Sequence, residues 1–354
     1  MRQRYLVKSL ALSGLSILSL AGLALADGGA QHRAQQAAPI QLGCSGGNVN
    51  DRTNVFCCSG TLGALVQNTG GTQYILSNSH VLALSGRGSA GQDISHRGMI
   101  DANCAIPAVV ADLTSFVPFS SGANCCDAAI AQIRSGQVRT DGAILDIGIP
   151  CNTTRSATVG LSVRKSGRTT GFTTGSVSAV GVTISVAYSK RCGQSGGTAR
   201  TFTNQIGIGP NTFSAGGDSG SVIFDSSNHA VGLLFAGSST TTFANPIGSV
   251  LSSFGVSMVG ASCIGHAIEQ PPYTEEEMNE LLALLERNSA RILSKPGILG
   301  HGVGLTDDNR LEIVIFVEKL EGLQHTDVTF HGYPVRFHDC GGPIYAACAE
   351  AEVK

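Results

Sequence analysis

Between residues 55 and 258 the chain alternates short apolar runs with turns rich in glycine, serine, threonine and asparagine. Runs of this length bounded by such residues are typical of β-strands, and no convincing amphipathic helix interrupts them. The pattern predicts a β-sandwich or a β-barrel and does not choose between them. The runs are Leu62–Val66, Tyr74–Ser77, Ala108–Val110, Ala128–Ile133, Gly175–Val186, Ser221–Phe224 and Val231–Phe235.

After Ile264 the pattern changes. Residues 266–273, which include two consecutive prolines, are predicted to be a linker. Thr274 followed by Glu277 is a capping-box signature, and apolar residues at helical spacing predict a helix to about Ser294. Two further apolar runs predict a hairpin, followed by one or two strands. We therefore expect a small α+β domain over 274–354 that folds separately from a domain over 39–265.

The first 26 residues combine a basic start, an apolar run and a small-residue cleavage pattern, which predicts a signal peptide. The alternative is an uncleaved anchor, because the run is nearly long enough to span a bilayer. Residues 27–38 are expected to be a disordered leader. The mature protein is then secreted or periplasmic, with no membrane attachment.

The composition is typical of an exported protein and does not favour a protein that binds nucleic acid or an anionic membrane. Of 354 residues only 14% are charged, tryptophan is absent, and the net charge is −2. This charge gives no electrostatic reason to expect nucleic acid or an anionic membrane as a partner. Eleven cysteines suit an oxidising compartment, and the odd number leaves at least one without an intramolecular partner.

The cysteines include two vicinal pairs, Cys57-Cys58 and Cys125-Cys126. We expect them to form ordinary structural disulfides with other cysteines, in a connectivity that the sequence leaves open. His325, His331, His338 and Cys340 have irregular spacing, so solvated surface residues are expected rather than a metal site. No metal or organic cofactor is predicted.

The strongest chemical signal is Gly217-Asp218-Ser219-Gly220 ahead of an apolar strand. Serine is a poor nucleophile without a base and an oxyanion pocket, and the glycines would let backbone amides converge beside Ser219. The alternative is a glycine-rich turn. Two upstream residues favour catalysis: His80 ends an apolar strand, and Asp127 precedes a small apolar run. Taken singly, each could be a structural strand-end or turn residue.

The order His80, Asp127, Ser219 and the local sequences resemble the chymotrypsin/trypsin-like serine peptidases, particularly secreted bacterial members. The similar segments are Cys58-Ser59-Gly60-Thr61-Leu62, Gly216–Gly220 and Ser166–Gly171. The resemblance implies an all-β double six-stranded barrel with the site in the cleft between barrels. It also implies that His80 is the base, Asp127 its orienting group and Ser219 the nucleophile, with Gly217 and Ser219 amides as the oxyanion hole.

Other positions are interpreted from the same resemblance. Phe213 falls at the base of the primary pocket, and Phe235-Ala236-Gly237 at the substrate-binding strand. Phe235 replaces a serine whose hydroxyl commonly supports the aspartate, so the support of Asp127 is left open. Val81 replaces a cysteine, which removes the usual partner of Cys58.

The chain lacks the family's Ile-Val-Gly-Gly start yet keeps the aspartate before the nucleophile, Asp218. A buried unpaired carboxylate would be costly, so a cation should reach it. We expect Lys165 to pair with Asp218 and the enzyme to be competent without N-terminal processing. The alternative is that Arg168 or water serves Asp218.

The sequence thus predicts a secreted serine endopeptidase acting on protein or peptide substrates through an acyl-enzyme. Two alternatives remain: a peptidase-fold binding protein with weak or no turnover, and an acyl or ester hydrolase using the same triad. Phe213 speaks against an acidic pocket base that would select lysine or arginine.

Overall fold

The computed structural model describes residues 28–194, 196–263, 270–320, 328–346 and 348–352. The predicted signal peptide, residues 264–269 of the linker region and His325 lie outside this described part. Twenty strands are present in it. The first eight are β1 (Cys44–Asn48), β2 (Phe56–Leu62), β3 (Ala64–Asn68), β4 (Gln73–Ser77), β5 (Asp93–Ser95), β6 (Val109–Phe116), β7 (Ala123–Asn124) and β8 (Ala129–Ile133).

The next seven strands complete the region with the β-rich pattern. They are β9 (Ser162–Gly167), β10 (Gly171–Ala187), β11 (Ala199–Gly209), β12 (Val222–Asp225), β13 (Ala230–Gly237), β14 (Thr242–Pro246) and β15 (Val256–Met258). The last five are β16 (Ile298–Leu305), β17 (Leu311–Val317), β18 (Thr329–Phe330), β19 (Tyr333–Asp339) and β20 (Ala349–Glu352).

Helices are few and mostly short. The α-helices are α1 (Ala30–Arg33), α2 (Ser79–Leu82), α3 (Ile247–Phe254) and α4 (Glu275–Leu293), and single 3-10 turns cover Leu84–Gly86, Met99–Ala102 and Asn211–Phe213. None of the helices in the described part is long and apolar enough to cross a membrane.

The first barrel is closed by a bend in one strand. Its strands follow the order β3-β4-β8-β6-β5-β1-β2, and only Gly63 separates β2 from β3. Because β2 pairs with β1 and β3 pairs with β4, this bent segment joins both ends of the sheet. Leu62, Leu65 and Ile75 are fully buried inside it, and each such side chain stabilises the fold by about 1.5–3 kcal/mol.

The second barrel contains six strands in the order β10-β9-β12-β13-β14-β11, and β11 returns to β10 to close it. Phe213, Ile223 and Leu234 are buried in its core. The two sheets confirm the predicted double β-barrel with an additional α+β portion.

The α+β portion begins as predicted at a capping box. The Thr274 hydroxyl accepts the Glu277 N–H at 3.1 Å, and Glu277 accepts the Thr274 N–H at 2.8 Å. Helix α4 then buries Met278, Leu281 and Leu285 against strands β16 and β17.

The strands of this portion continue the sheets of both barrels, and the expectation that it folds separately stays a prediction. Strand β10 is 17 residues long, and its outer part pairs with β16, at Val180 with Val303 and Ile184 with Gly300. Strand β20 pairs with β2 of the first barrel. Hydrogen bonds therefore join the C-terminal portion to both barrels, because each barrel offers it an unpaired strand edge. The boundaries 39–265 and 274–354 stay predictions.

Two expectations are corrected. Residues 28–38 include the ordered helix α1, in which His32 is 1% exposed and bonded to Gly43 O at 2.8 Å, so the described part of the leader is ordered. Cys340 is fully buried with Phe202 and Phe235 rather than solvated, because the C-terminal portion packs on the second barrel.

The disulfides follow the prediction for one vicinal pair only. Cys57 bonds Cys104, Cys58 bonds Cys192, and Cys151 bonds Cys263. The Cys58–Cys192 bond links the two barrels and supplies the partner that Val81 could not. Cys125 and Cys126 are not in disulfides, which corrects the prediction for that pair. No cysteine in the described part of the chain forms a disulfide with either of them.

Candidate active site

The end of strand β4 in the first barrel sets the position of His80. Strand β4 ends at Ser77, which pairs with Ala129 of β8, and helix α2 begins two residues later. Val81 and Leu82 are buried in the first-barrel core and anchor this turn. Because Ala129 lies two residues after Asp127, the same register brings His80 and Asp127 together.

The two side chains form a buried pair. His80 Nδ1 lies 2.5 Å from Asp127 Oδ2, and the His80 backbone N–H donates to Oδ1 at 3.1 Å. The side chains are 3% and 0% exposed. A carboxylate accepts, so Nδ1 carries the proton and Nε2 presents a lone pair. Nε2 is buried, and no group in the described part of the chain hydrogen-bonds to it.

Asp127 is held by groups from three separate segments. Tyr188 O–H donates to its Oδ2 at 2.8 Å, and Asn78 Nδ2 donates to its backbone oxygen at 2.7 Å. Its own N–H donates to Asn245 Oδ1 at 3.1 Å. Burial, then the charge of Asp127, raises the Tyr188 pKa well above its ordinary value, so the phenol remains a donor.

Tyr188 is the functional residue that sequence reasoning missed. It replaces the hydroxyl absent at Phe235, but from the end of β10, about 60 residues beyond Asp127. No motif surrounds it. A search for any hydroxyl near the end of a strand would have found many candidates and no reason to choose this one.

Ser219 lies in a tight loop against the first barrel. Gly217 and Gly220 have φ values of +97° and +96°, which favour glycine. A Cβ at position 220 would lie 2.1 Å from Ser77 Oγ, so the loop packs directly on the strand that leads to His80. The Thr61 N–H also donates to Ser219 O at 2.9 Å. Ser219 itself is 3% exposed, and its Oγ donates to Phe235 O at 3.5 Å.

The hydrogen bond between Ser219 and His80 is therefore not formed in this arrangement, since none of the described residues is a partner of Nε2. Such bonds are often loose in structures without substrate. The oxyanion hole from the Gly217 and Ser219 amides stays a prediction, and the positive φ of Gly217 is the feature that suits it.

Lys165 contacts Asp218, the residue that precedes Ser219 in this loop. Lys165 Nζ is 3.4 Å from Asp218 Oδ2, and both side chains are 0% exposed. Lys165 also donates to Thr170 Oγ1 and to Gly171 O. Asp218 accepts from the Thr169 N–H at 2.8 Å and the Thr170 hydroxyl at 2.8 Å. Burial lowers the Lys165 pKa, while the Asp218 charge opposes that shift.

Arg168, the alternative partner, is engaged elsewhere. Its Nε and Nη2 donate to the two carboxylate oxygens of Asp101 at 2.8 and 2.6 Å. A bidentate pair of this kind uses the full guanidinium fork. The cation that contacts Asp218 is thus Lys165.

The predicted substrate-binding residues divide into two groups. Ala236 and Gly237 line a cavity with Ser219 and Ser214. The Phe213 and Phe235 side chains are fully buried in the second barrel, and the rings of Phe235 and Phe202 are 4.8 Å apart. Neither residue is among those that line this cavity, and the substrate-binding roles expected of Phe213 and Phe235 stay predictions. The Phe235 backbone oxygen accepts the Ser219 hydroxyl.

No protein-family model matches this chain, and no curated protein matches it. Solved structures of bacterial chymotrypsin-like serine proteases do. A glutamic acid-specific serine protease with a histidine triad in substrate binding is 22% identical over 62% of this chain and 100% of its own, with a TM-score of 0.45. Thermobifida fusca protease A is 20% identical over 59% and 97%, with a TM-score of 0.41. Cellulomonas bogoriensis chymotrypsin is 20% identical over 63% and 99%, with a TM-score of 0.42.

Proposed function

We propose that this protein is an exported serine endopeptidase that uses Ser219, His80 and Asp127. The observation that carries the proposal is the buried Asp127–His80 pair, whose second ring nitrogen has no hydrogen-bond partner among the described residues, next to the strand end on which the glycine-flanked Ser219 loop packs. Three disulfides support an oxidising compartment.

Each group has a defined role in the reaction. Ser219 Oγ attacks the peptide carbonyl carbon, and its proton passes to His80 Nε2. The tetrahedral oxyanion is received by the Gly217 and Ser219 amides. The carbon–nitrogen bond then breaks, and the amine leaves with the proton from Nε2. Water then attacks the acyl-enzyme and gives a proton to His80; the bond between the acyl carbon and Ser219 Oγ breaks, His80 returns the proton to Oγ, and the acid leaves.

Asp127 remains ionised throughout and stabilises the imidazolium. The Tyr188 hydroxyl helps to hold the Asp127 carboxylate in place, because it donates to the same carboxylate oxygen as His80. Tyr188 supplies the hydroxyl support of Asp127 that Phe235 lacks, which favours an active peptidase over a peptidase-fold binding protein.

Fluorophosphonate labelling of the exported protein tests the proposal. The reagent should modify Ser219 in the wild type and leave Ser219→Ala unlabelled. The measurement should include the Tyr345→Pro variant described below, in which the groove is expected to be open. A folded protein that stays unlabelled in both forms would contradict the peptidase assignment.

A further inference from the structure

Residues of the described stretches 341–346 and 348–352 line the cavities that hold Ser219 and His80. We propose that this C-terminal segment is an intramolecular inhibitor that occupies the peptide-binding groove in the manner of a substrate. The inference rests on the proposed peptidase function and adds to it the regulation of the site.

The first half of the segment pairs with the strand beside the nucleophile. The Gly237 N–H donates to Tyr345 O at 3.0 Å, and the Tyr345 N–H donates back to Gly237 O at 3.0 Å. Gly237 lies two residues beyond Phe235, whose oxygen contacts Ser219 Oγ. This reciprocal pair is an antiparallel bridge, the arrangement in which an extended peptide binds a sheet edge.

The other face of the same stretch is paired as well. The Ala187 N–H donates to Ile344 O at 2.8 Å, and the Ala346 N–H donates to Ala187 O at 3.2 Å. Residues 344–346 thus lie as an added strand between the ends of β10 and β13. Recognition uses the main chain, since the Tyr345 side chain is 52% exposed.

The second half of the segment lies on the first barrel. Cys348 Sγ is 3.7 Å from the backbone oxygen of His80, and Ala349 pairs with Ser59 of β2. A Cβ placed on Gly217 would lie 2.9 Å from Ala349 Cβ. Strand β20 therefore passes the predicted oxyanion loop on the side of the histidine.

These contacts define the path of the segment. Ala346 is bonded to the second barrel and Cys348 contacts the first, so the residues on the two sides of position 347 lie on different barrels. Tyr345 lines both the cavity beside His80 and the cavity beside Ser219. A peptide substrate needs the same Gly237 hydrogen bonds and cannot bind while the segment is there.

The segment is also tethered close to the groove. Cys340, at its start, is fully buried, and its backbone oxygen accepts the Ser239 hydroxyl at 2.9 Å. Short tethers give effective concentrations on the order of millimolar. A peptide substrate that binds the groove with the same affinity as the segment would compete poorly below that concentration.

Tyr345→Pro in the full chain tests the inference, because proline removes the N–H that Gly237 O accepts. We expect fluorophosphonate labelling and peptide hydrolysis at least about tenfold faster than in the wild type, given the millimolar tether. Tyr345→Ala is the matched control: it keeps the main-chain bonds and should react as slowly as the wild type. If Tyr345→Pro fails to fold, Ala346→Pro removes the neighbouring N–H donated to Ala187.

A synthetic peptide of residues 341–352 provides the second measurement. Added to Tyr345→Pro, it should inhibit competitively, while the same peptide with proline at position 345 should not. Equal rates for the wild type and an active Tyr345→Pro, or no inhibition by the peptide, would overturn the inference.

Failure of the underlying peptidase function looks different. A fluorescent form of the peptide should bind folded Tyr345→Pro in an anisotropy titration, whether or not Ser219 reacts. Binding without any labelling or hydrolysis would support the occupied groove and reject the catalysis. Hydrolysis without peptide binding would support the catalysis and reject the occupied groove.

Discussion

Two buried histidines in this protein lie beside a carboxylate and a serine, and only one has the arrangement of a base. His32 has Nδ1 at 2.8 Å from Gly43 O and Nε2 at 2.9 Å from Asp146 Oδ2, with Ser166 Oγ 3.4 Å away. Both of its ring nitrogens are engaged. His80 has one nitrogen on Asp127 and the other, within the described part of the chain, unpartnered.

The difference shows that a histidine beside a carboxylate and a serine is not by that composition alone a catalytic site. A general base needs a lone pair directed at an incoming proton. At His32 both nitrogens hold the leader to β1 and to the loop around Asp146, which is a structural task. At His80 the burial of Nε2 without a partner costs stability, and that cost is consistent with a group that acquires its partner during the reaction.

The strongest test of the difference between His80 and His32 is to remove each imidazole in turn. His80→Ala should lower kcat/KM for peptide hydrolysis by about 10⁴-fold or more, because the proton of Ser219 then has no acceptor. His32→Ala should produce no comparable loss, measured in the Tyr345→Pro background so that the groove is open. A large loss in both variants, with both folded, would show that the two histidines do not differ in role.

Exchanging each carboxylate for an amide examines the same contrast. Asp127→Asn should lower kcat by about 10⁴-fold, because an amide N–H facing Nδ1 forces the proton onto Nε2. Asp146→Asn, the matched change at His32, should leave kcat unaffected. An Asp127→Asn enzyme with nearly full activity would remove Asp127 from the proposed triad.

The buried Lys165 lies between the two sites, next to Ser166 on one side and Asp218 on the other. Lys165→Met should destabilise the protein by about 3–5 kcal/mol, since it leaves the Asp218 carboxylate buried without its cation. Adding Asp218→Asn should recover part of the loss, as thermal unfolding would show. An unchanged melting temperature in the single variant would mean that the pair contributes nothing.

The smallest expected effect concerns the support of Asp127. Tyr188→Phe should lower kcat/KM by about 10- to 150-fold, since a hydrogen bond to a charged group is worth about 1.5–3 kcal/mol. Tyr74→Phe is the control, because the Tyr74 hydroxyl accepts only from Asn68 and lies away from the site. Equal activity of both variants would show that the Tyr188 hydroxyl does not contribute to the support of the Asp127 carboxylate.

Local features of the fold could be predicted because their causes are local. The capping box at Thr274 and Glu277 places α4 correctly, and the alternation of apolar runs with turns anticipates the strands of both barrels. The positions of His80, Asp127 and Ser219 at the ends of strands were readable for the same reason. Their contact with one another depends on strand register, which the motifs imply only by resemblance.

The sequence by itself determined the strand-rich class, the capped helix and the identity of the chemically suited serine, histidine and aspartate, since these depend on neighbours within a few residues. Only the tertiary structure decided that Tyr188 supports Asp127, that Cys192 bonds Cys58, and that Tyr345 pairs with Gly237. Each of these contacts joins residues about 60 to 135 positions apart. The free energy of such a contact depends on how sheets close and pack, which no local pattern encodes.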